Sequence, residues 1–358
     1  MSRPLSSREF APAFPAEDSF IRLVRQRVRA EIPGELRGDP RLRCKAMVLA
    51  AWFLGSYAGV LLGPNAALFL LATLSWSLAS CAVAFGVFHD ANHGGFSHSR
   101  KVNLAISRTC CLVLGVGRHF WCFKHHVLHH HGPNVACWDD DVEARGWLRL
   151  SPHQPWRRRF RGQHVYFLPL YALNSVEWIF IKDFVQYATG RINEHRMIPP
   201  MSVGERLEFF AGKLGYVVLF VIPAFVAQPP WLAFGGFVLF HAIQSLLLTI
   251  VFQVAHLNDK VEFAEAGATL DCAHSAHQLH ATSNFAADSR WTTWFTGGLN
   301  LQIEHHLFPA ASHTHLPAIS RIVREAAAES GLPYFAHRSL SQALASHARH
   351  LKALQAGP

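Results

Sequence analysis

Two long stretches of this chain contain no charged side chain, the first from Ala46 to Phe88 and the second from Leu214 to Ala255. A helix needs about 20 apolar residues to cross the hydrocarbon of a bilayer, so each stretch predicts two spans. Gly63-Pro64-Asn65 breaks the first stretch with a tight turn, giving Ala46 to Gly63 outward and Ala66 to Phe88 back. Gln228-Pro229-Pro230 breaks the second in the same way. Its outgoing helix has to begin near Leu207, with Lys213 snorkelling to the interface, and its returning helix runs from Trp231 to Ala255.

Two weaker apolar stretches lie between, at Thr109 to Gly117 and His164 to Ile181. The first is too short to cross, and Pro169, Asn174 and Glu177 make the second costly to place in lipid, so both predict interfacial helices. The expected fold is an all-α integral membrane protein with four transmembrane helices arranged as two hairpins. Its amino terminus, central polar region and carboxyl terminus then share one face. Arg22, Arg25, Arg27, Arg29, Arg37, Arg41, Arg43 and Lys45 lie on that face, as do Arg157, Arg158, Arg159 and Arg161, which makes it cytoplasmic. The chain divides into a basic cytoplasmic segment 1–45, a membrane domain 46–335 and a tail 336–358. Within the first segment, residues 1–17 read as a mobile tail, and Phe20 to Arg29 as a basic amphipathic stretch on the membrane surface or an ordinary solvated helix. The first residues carry no apolar leader, so insertion is expected to rely on the internal spans of a multi-pass protein in the cell membrane.

Composition agrees with this pattern. Half the residues are apolar and 16% are charged, against about 25% in soluble chains. The formal charge of +9 flanks spans, and so fits anionic lipid headgroups better than nucleic acid. The seven cysteines are odd in number and form no CxxC pair, which indicates neither a disulfide framework nor a zinc ribbon.

The 24 histidines change the picture, because they cluster beside the apolar runs. His89 and His93 close the second span four residues apart, on one helical face. Asp90 between them reads as a carboxylate that fixes the tautomer of a ligating imidazole. In His125-His126-Val127-Leu128-His129-His130-His131, a regular helix puts His126, His129 and His130 on one face and aims His125 and His131 elsewhere. Gln302, His305 and His306 repeat that spacing after Gly297-Gly298, whose freedom permits a turn into the helix, and His256 ends the fourth span. Asp139, Asp140 and Asp141, with Asn134 before them, read either as a solvated loop or as partners of the cluster. Eight histidines, with Gln302 as a ninth partner, are too many for one metal. They suit iron, copper, nickel or zinc, and open coordination positions beside lipid favour redox iron. A bis-histidine haem carrier would need isolated histidines facing one another within spans, a pattern this chain does not follow.

These segments resemble the membrane fatty acid desaturases, in particular the acyl-lipid, front-end branch related to linoleoyl-CoA desaturases. The resemblance rests on His89-Asp-Ala-Asn-His93, His126-Val-Leu-His129-His130 and Gln302-Ile-Glu-His305-His306 in this order, with Phe252-Gln-Val-Ala-His256 as an additional histidine segment. It runs from about residue 45 to 335. It implies a di-iron centre of two non-haem irons that uses O2 and two electrons to place a double bond in an acyl chain. The implied ligands are His89, His93, His126, His129, His130, His256, His305 and His306, with Gln302 where other members carry histidine. A hydroxylase or ketolase acting on a lipid, carotenoid or sphingoid base is the nearest alternative. No His-Pro-Gly-Gly of a fused cytochrome b5 occurs, so a separate ferredoxin-like or cytochrome b5-like donor with its reductase is expected, and an acyl-lipid, acyl-CoA or acyl-ACP substrate.

Overall fold

The computed structural model describes residues 10–144 and 146–356. Among them, four helices are long and apolar enough to cross a membrane: Pro40–Leu62, Ala66–His93, Val203–Ala227 and Pro230–His256. Asp39 caps the first through Arg41 N, and Pro40 opens it where no backbone donor is needed. Asn65 Oδ1 accepts from Leu68 N and so starts the second one turn after the first ends. The first two helices pack along each other, and the second packs on the fourth. Their outer faces leave Met47, Leu54, Leu62, Leu71, Leu207, Leu214, Val226 and Trp231 exposed. An apolar surface of that extent is stable only against lipid or another apolar phase, so the chain is a membrane protein.

The inner faces make the core: Leu49, Phe53, Phe69, Trp76, Tyr216, Phe220 and Phe240 interlock beneath the polar half of the molecule. Two polar anchors reinforce it. Lys213 stays inside rather than snorkelling outward, its Nζ bonded to Asp183 Oδ2 at 2.6 Å and to the Gly115 and Ile179 carbonyls at 2.7 and 2.8 Å. Lys45, the last of the basic flank, is also buried and bonds to His313 Nε2 at 2.9 Å.

The two weaker stretches form shorter helices. Arg100–Leu114 ends at Gly115 in the left-handed region, and Gln163–Tyr171, Asn174–Glu177 and Asp183–Thr189 follow one another around the cavity described below. The expected mobile tail is otherwise in its described part, residues 1–9 lying outside it. Phe10 is buried, and Ala13 N donates to Ala268 O at 3.1 Å. The basic stretch is the helix Ser19–Glu31, and it lies on protein. Phe20, Val24 and Val28 bury against Ile319, Ile322 and Val323 of the helix Leu316–Glu329, and Arg27 and Arg321 pair with Glu329 and Glu31 across the seam. The segment 336–354 is likewise packed. Ala336–His337 pairs in parallel with Asn284–Phe285, and the helix Leu340–Leu354 covers the end of the fourth span.

Candidate metal centre

The site is assembled from three helix ends and one widened turn. The second span passes through a π-helical turn, Ala84–Phe88, and then presents His89 and His93 before Gly94 ends it at φ 77°. Gly297 and Gly298, both at positive φ, lead the chain toward Gln302–Leu307. A Cβ on Gly297 would stand 2.5 Å from the Phe85 carbonyl, so only glycine lets this loop close on the second span. His256 is the last residue of the fourth span.

The widened turn is Phe123–His129, a π-helix in which His130 N donates to His125 O at 3.1 Å. An i to i+5 turn stacks residues five apart. It therefore brings His125 in line with His130, their Nε2 atoms 3.2 Å apart. The regular-helix expectation aimed His125 away, and here the backbone differs from that expectation.

The ring nitrogens gather into two groups. One nitrogen each from His89, His93, His125 and His305 lies within 4.8 Å of the others, and the same holds for His129, His256 and His306. His130 joins the groups: its Nε2 is 3.0 Å from His305 Nε2, and its ring stacks on His306 at 4.4 Å. His89 Nε2 lies 3.1 Å from His125 Nε2. His126 belongs to neither group. Its ring lies 4.4 Å from that of His93, and burial holds its pKa down at about 4. His131 is exposed. Gln302 Nε2 lies 3.1 Å from His256 Nε2.

This donor set fits metal ions. The gathered rings are buried except for those of His93 and His130, which are half-buried, and the buried atoms His93 Nε2, His129 Nε2, His306 Nε2 and Gln302 Oε1 have no hydrogen-bond partner, a costly condition for a buried polar atom. Burial and neighbouring imidazoles push His125, His130, His305 and His306 well below the usual histidine range. Neutral rings with inward lone pairs are what a cation requires. Nitrogens about 2.1 Å from one ion and about 90° apart would stand about 3 Å from each other, close to the spacings seen here.

Carboxylates and carbonyls hold the outward nitrogens. Asp139 Oδ2 accepts from His129 Nδ1 at 3.1 Å and from Asn134 N at 3.0 Å. Burial lowers the His129 pKa, but Asp139 outweighs it and the net shift is upward. Asp141 Oδ2 is 3.3 Å from the same Nδ1, and Lys124 at 2.7 Å overrides burial to keep Asp141 well below the usual carboxylate range. Asp139 and Asp140 are buried, so this loop is part of the site. Asp90 takes a different partner from the one expected. Its Oδ2 accepts from His313 Nδ1 and His313 N, both at 2.9 Å, and ties the second span to the segment after Leu307. Sequence reasoning missed His313, whose only signal is that it forms a His-x-His pair with His315 just before Leu316.

A cavity of about 660 Å³ opens from the first group, lined near it by Phe88, His89, Trp121, His125 and Phe252 and farther away by Leu114, Leu170, Ile179 and Leu248. Lys124, Asp140, Asp141, Glu143 and Lys182 form a polar margin. Its size and largely apolar walls suit one small or chain-like apolar ligand.

Residues 64–338 match the fatty acid desaturase family model. The chain is 30% identical to the sn-1 linoleoyl-lipid 6-desaturase of Synechocystis sp., over 95% of this chain and 97% of that one. It is 29% identical to the enzyme of that name from Arthrospira platensis, over 95% and 93%. It is also 31% identical to the acyl-lipid (8-3)-desaturase of Physcomitrium patens, over 96% of this chain and 73% of the relative.

Proposed function

Because the chain belongs to the fatty acid desaturase family, we propose that it uses O2 and two electrons to introduce a double bond into an acyl chain carried on a membrane lipid, at two iron ions. The acyl-lipid carrier follows the names of the relatives. The observation that carries the reading is the convergence of two groups of histidine nitrogens, the first of which heads a largely apolar cavity.

His89, His93, His125, His130 and His305 would hold one iron, and His129, His256 and His306 the other, with Gln302 beside His256. His125 takes the place that the spacing had given to His126. When bound, the pair of irons supplies the oxidising chemistry that an unactivated methylene needs. The chain does the rest. The cavity takes the acyl chain out of water at about 0.8 kcal/mol per buried CH2. Trp121 stacks on His125 with ring centres 4.4 Å apart, and Phe252 stands 6.4 Å from both His89 and His125. These aromatic walls fix which methylene rests against the ligands, and positioning of that kind is worth several orders of magnitude in rate.

The four long helices form two hairpins, with the histidine helices as a cap on the cytoplasmic side of the cell membrane, and residues 46–335 form the membrane unit. Arg157, Arg158 and Arg159 are exposed on the cap side; they steer a separate acidic electron carrier, ferredoxin-like or cytochrome b5-like, toward it. The test is expression in a host lacking the activity, with mass-spectrometric location of new double bonds in its lipids and iron counted on the purified chain. The expected result is one new unsaturation and about two non-haem irons per chain. A hydroxylated product would move the chain to the hydroxylases, and active protein with zinc and no iron would overturn the metal assignment.

A further inference from the structure

The three histidines of the second group are held from outside by three different acceptors. His129 Nδ1 meets the Asp139 carboxylate at 3.1 Å, and His256 Nδ1 meets the Ala281 carbonyl at 3.3 Å. His306 Nδ1 meets the side-chain amide of Gln278, with Gln278 Oε1 at 2.7 Å. An amide presents an acceptor at one end and a donor at the other, so its orientation needs an independent fix. Gln278 supplies one. The other end of its amide lies 3.3 Å from the carbonyl of His130 and 3.0 Å from His274 Nε2. A carbonyl can only accept, so the NH2 faces His130 and the oxygen faces His306. His306 Nδ1 must then carry the ring proton, which leaves Nε2 as a bare lone pair. That Nε2 is the buried, unpaired atom that gathers with His129 and His256.

We propose that Gln278 is the positioning residue that locks His306 in its metal-binding tautomer, and that it uses the backbone of the neighbouring ligand His130 to do so. The proposal rests on the reading of His306 as a ligand. Gln278 is fully buried on the short helix His274–Ala281. Thr282 Oγ1 donates to the backbone carbonyl of Gln278 at 2.5 Å, which fixes the backbone that carries the amide. The polar contacts of its side chain go to two cluster histidines and to His274, and none serves as a helix cap. Partners of this kind set ring orientation and ligand basicity.

The test compares Gln278→Leu, Gln278→Glu and His306→Ala in the full chain, purified in detergent, stripped of metal and titrated with Co2+. The readouts are metals bound per chain, affinity, the Co2+ absorption spectrum and the melting temperature of the metal-free form. Gln278→Leu should weaken one of the two metals by roughly 10–100-fold and alter its absorption, with the metal-free melting temperature close to wild type. Gln278→Glu keeps an acceptor opposite Nδ1 and should bind both metals. His306→Ala should lose one metal. If His306→Ala loses a metal while Gln278→Leu binds both with wild-type affinity and spectrum, the role of Gln278 is overturned and the ligand reading stands. If His306→Ala itself keeps both metals, the ligand reading has failed, and this proposal with it. Should Gln278→Leu fail to fold, Gln278→Glu decides: retention of two metals supports the proposal, and loss of one, as in His306→Ala, overturns it.

Discussion

At the scale of single residues, the polar loop after the second histidine cluster is where the sequence left two readings open, solvated loop or partner of the site. Three consecutive aspartates are ordinary in solvent, and nothing local to them announces burial. Burial comes from Lys124 and Lys182, which approach from other elements and bond to Asp141 and Asp140 at 2.7 and 2.9 Å. Glu143 sits at the edge of this network on the cavity margin, with Gln154 Nε2 3.1 Å from its Oε2. Burial first, and then the charges of Asp140, Asp139 and Glu194, raise its pKa from 4.5 to about 7. A carboxyl whose folded pKa is raised binds its proton more tightly in the folded state. Its cost to stability therefore grows as pH rises from the unfolded value to about 7 and is constant above that. Glu143→Gln removes the titration. The variant should melt together with wild type near pH 4.5 and above it at pH 8, in thermal unfolding of detergent-solubilised protein. A wild-type advantage at pH 8 would mean that Glu143 is ionised and paired in the folded chain.

At the scale of elements, apolar length and turn residues made the spans legible, because a bilayer demands so much uncharged sequence that few alternatives survive. The second span, expected to end at Phe88, continues to His93. The residue composition had no means of announcing π-turns. Both π-turns beside the site, Ala84–Phe88 and Phe123–His129, change which side chains share a face, and such turns concentrate at functional sites. A signal was present all the same: His125 and His129 repeat the four-residue spacing of His89 and His93. The turn yields a sharp contrast between adjacent residues. His125→Ala should lose iron and activity together, because its Nε2 lies 3.1 and 3.2 Å from those of His89 and His130. His126→Ala should keep its iron and lose less activity, because its ring packs beside His93 and outside both groups. Iron per chain and product yield per iron, measured on the two variants, distinguish the π-turn from a regular helix, which predicts the reverse.

At the scale of the whole molecule, the cavity and the second layer of partners were illegible in the sequence for one reason: both are made by contacts between distant segments. Phe88, Trp121 and Phe252 share a wall although they lie on three elements, and no period along the chain connects them. The topology, in contrast, follows from charge and length alone, and it can be tested without reference to the site. If both charge-free stretches turn back, the chain crosses four times, and every histidine group lies on the side of the basic blocks. Single cysteines near residues 30, 150, 275 and 340 should then react with a membrane-impermeant thiol reagent only from the cytoplasmic face, and those near 64 and 229 only from the opposite one. The background has to replace Cys44, the one native cysteine that is exposed among the described residues. The site near 150 carries most of the information. It is flanked by the stretches 109–117 and 164–181, the two segments whose weak hydropathy allows either an interfacial or a crossing role. Labelling of 150 from the outside would mean that 109–117 spans, an odd number of crossings would precede the second histidine cluster, and His125, His129 and His130 could not meet His89 on one face. Labelling of both 150 and 275 from the cytoplasm keeps all three histidine segments and His256 on the side where a soluble electron carrier can reach them.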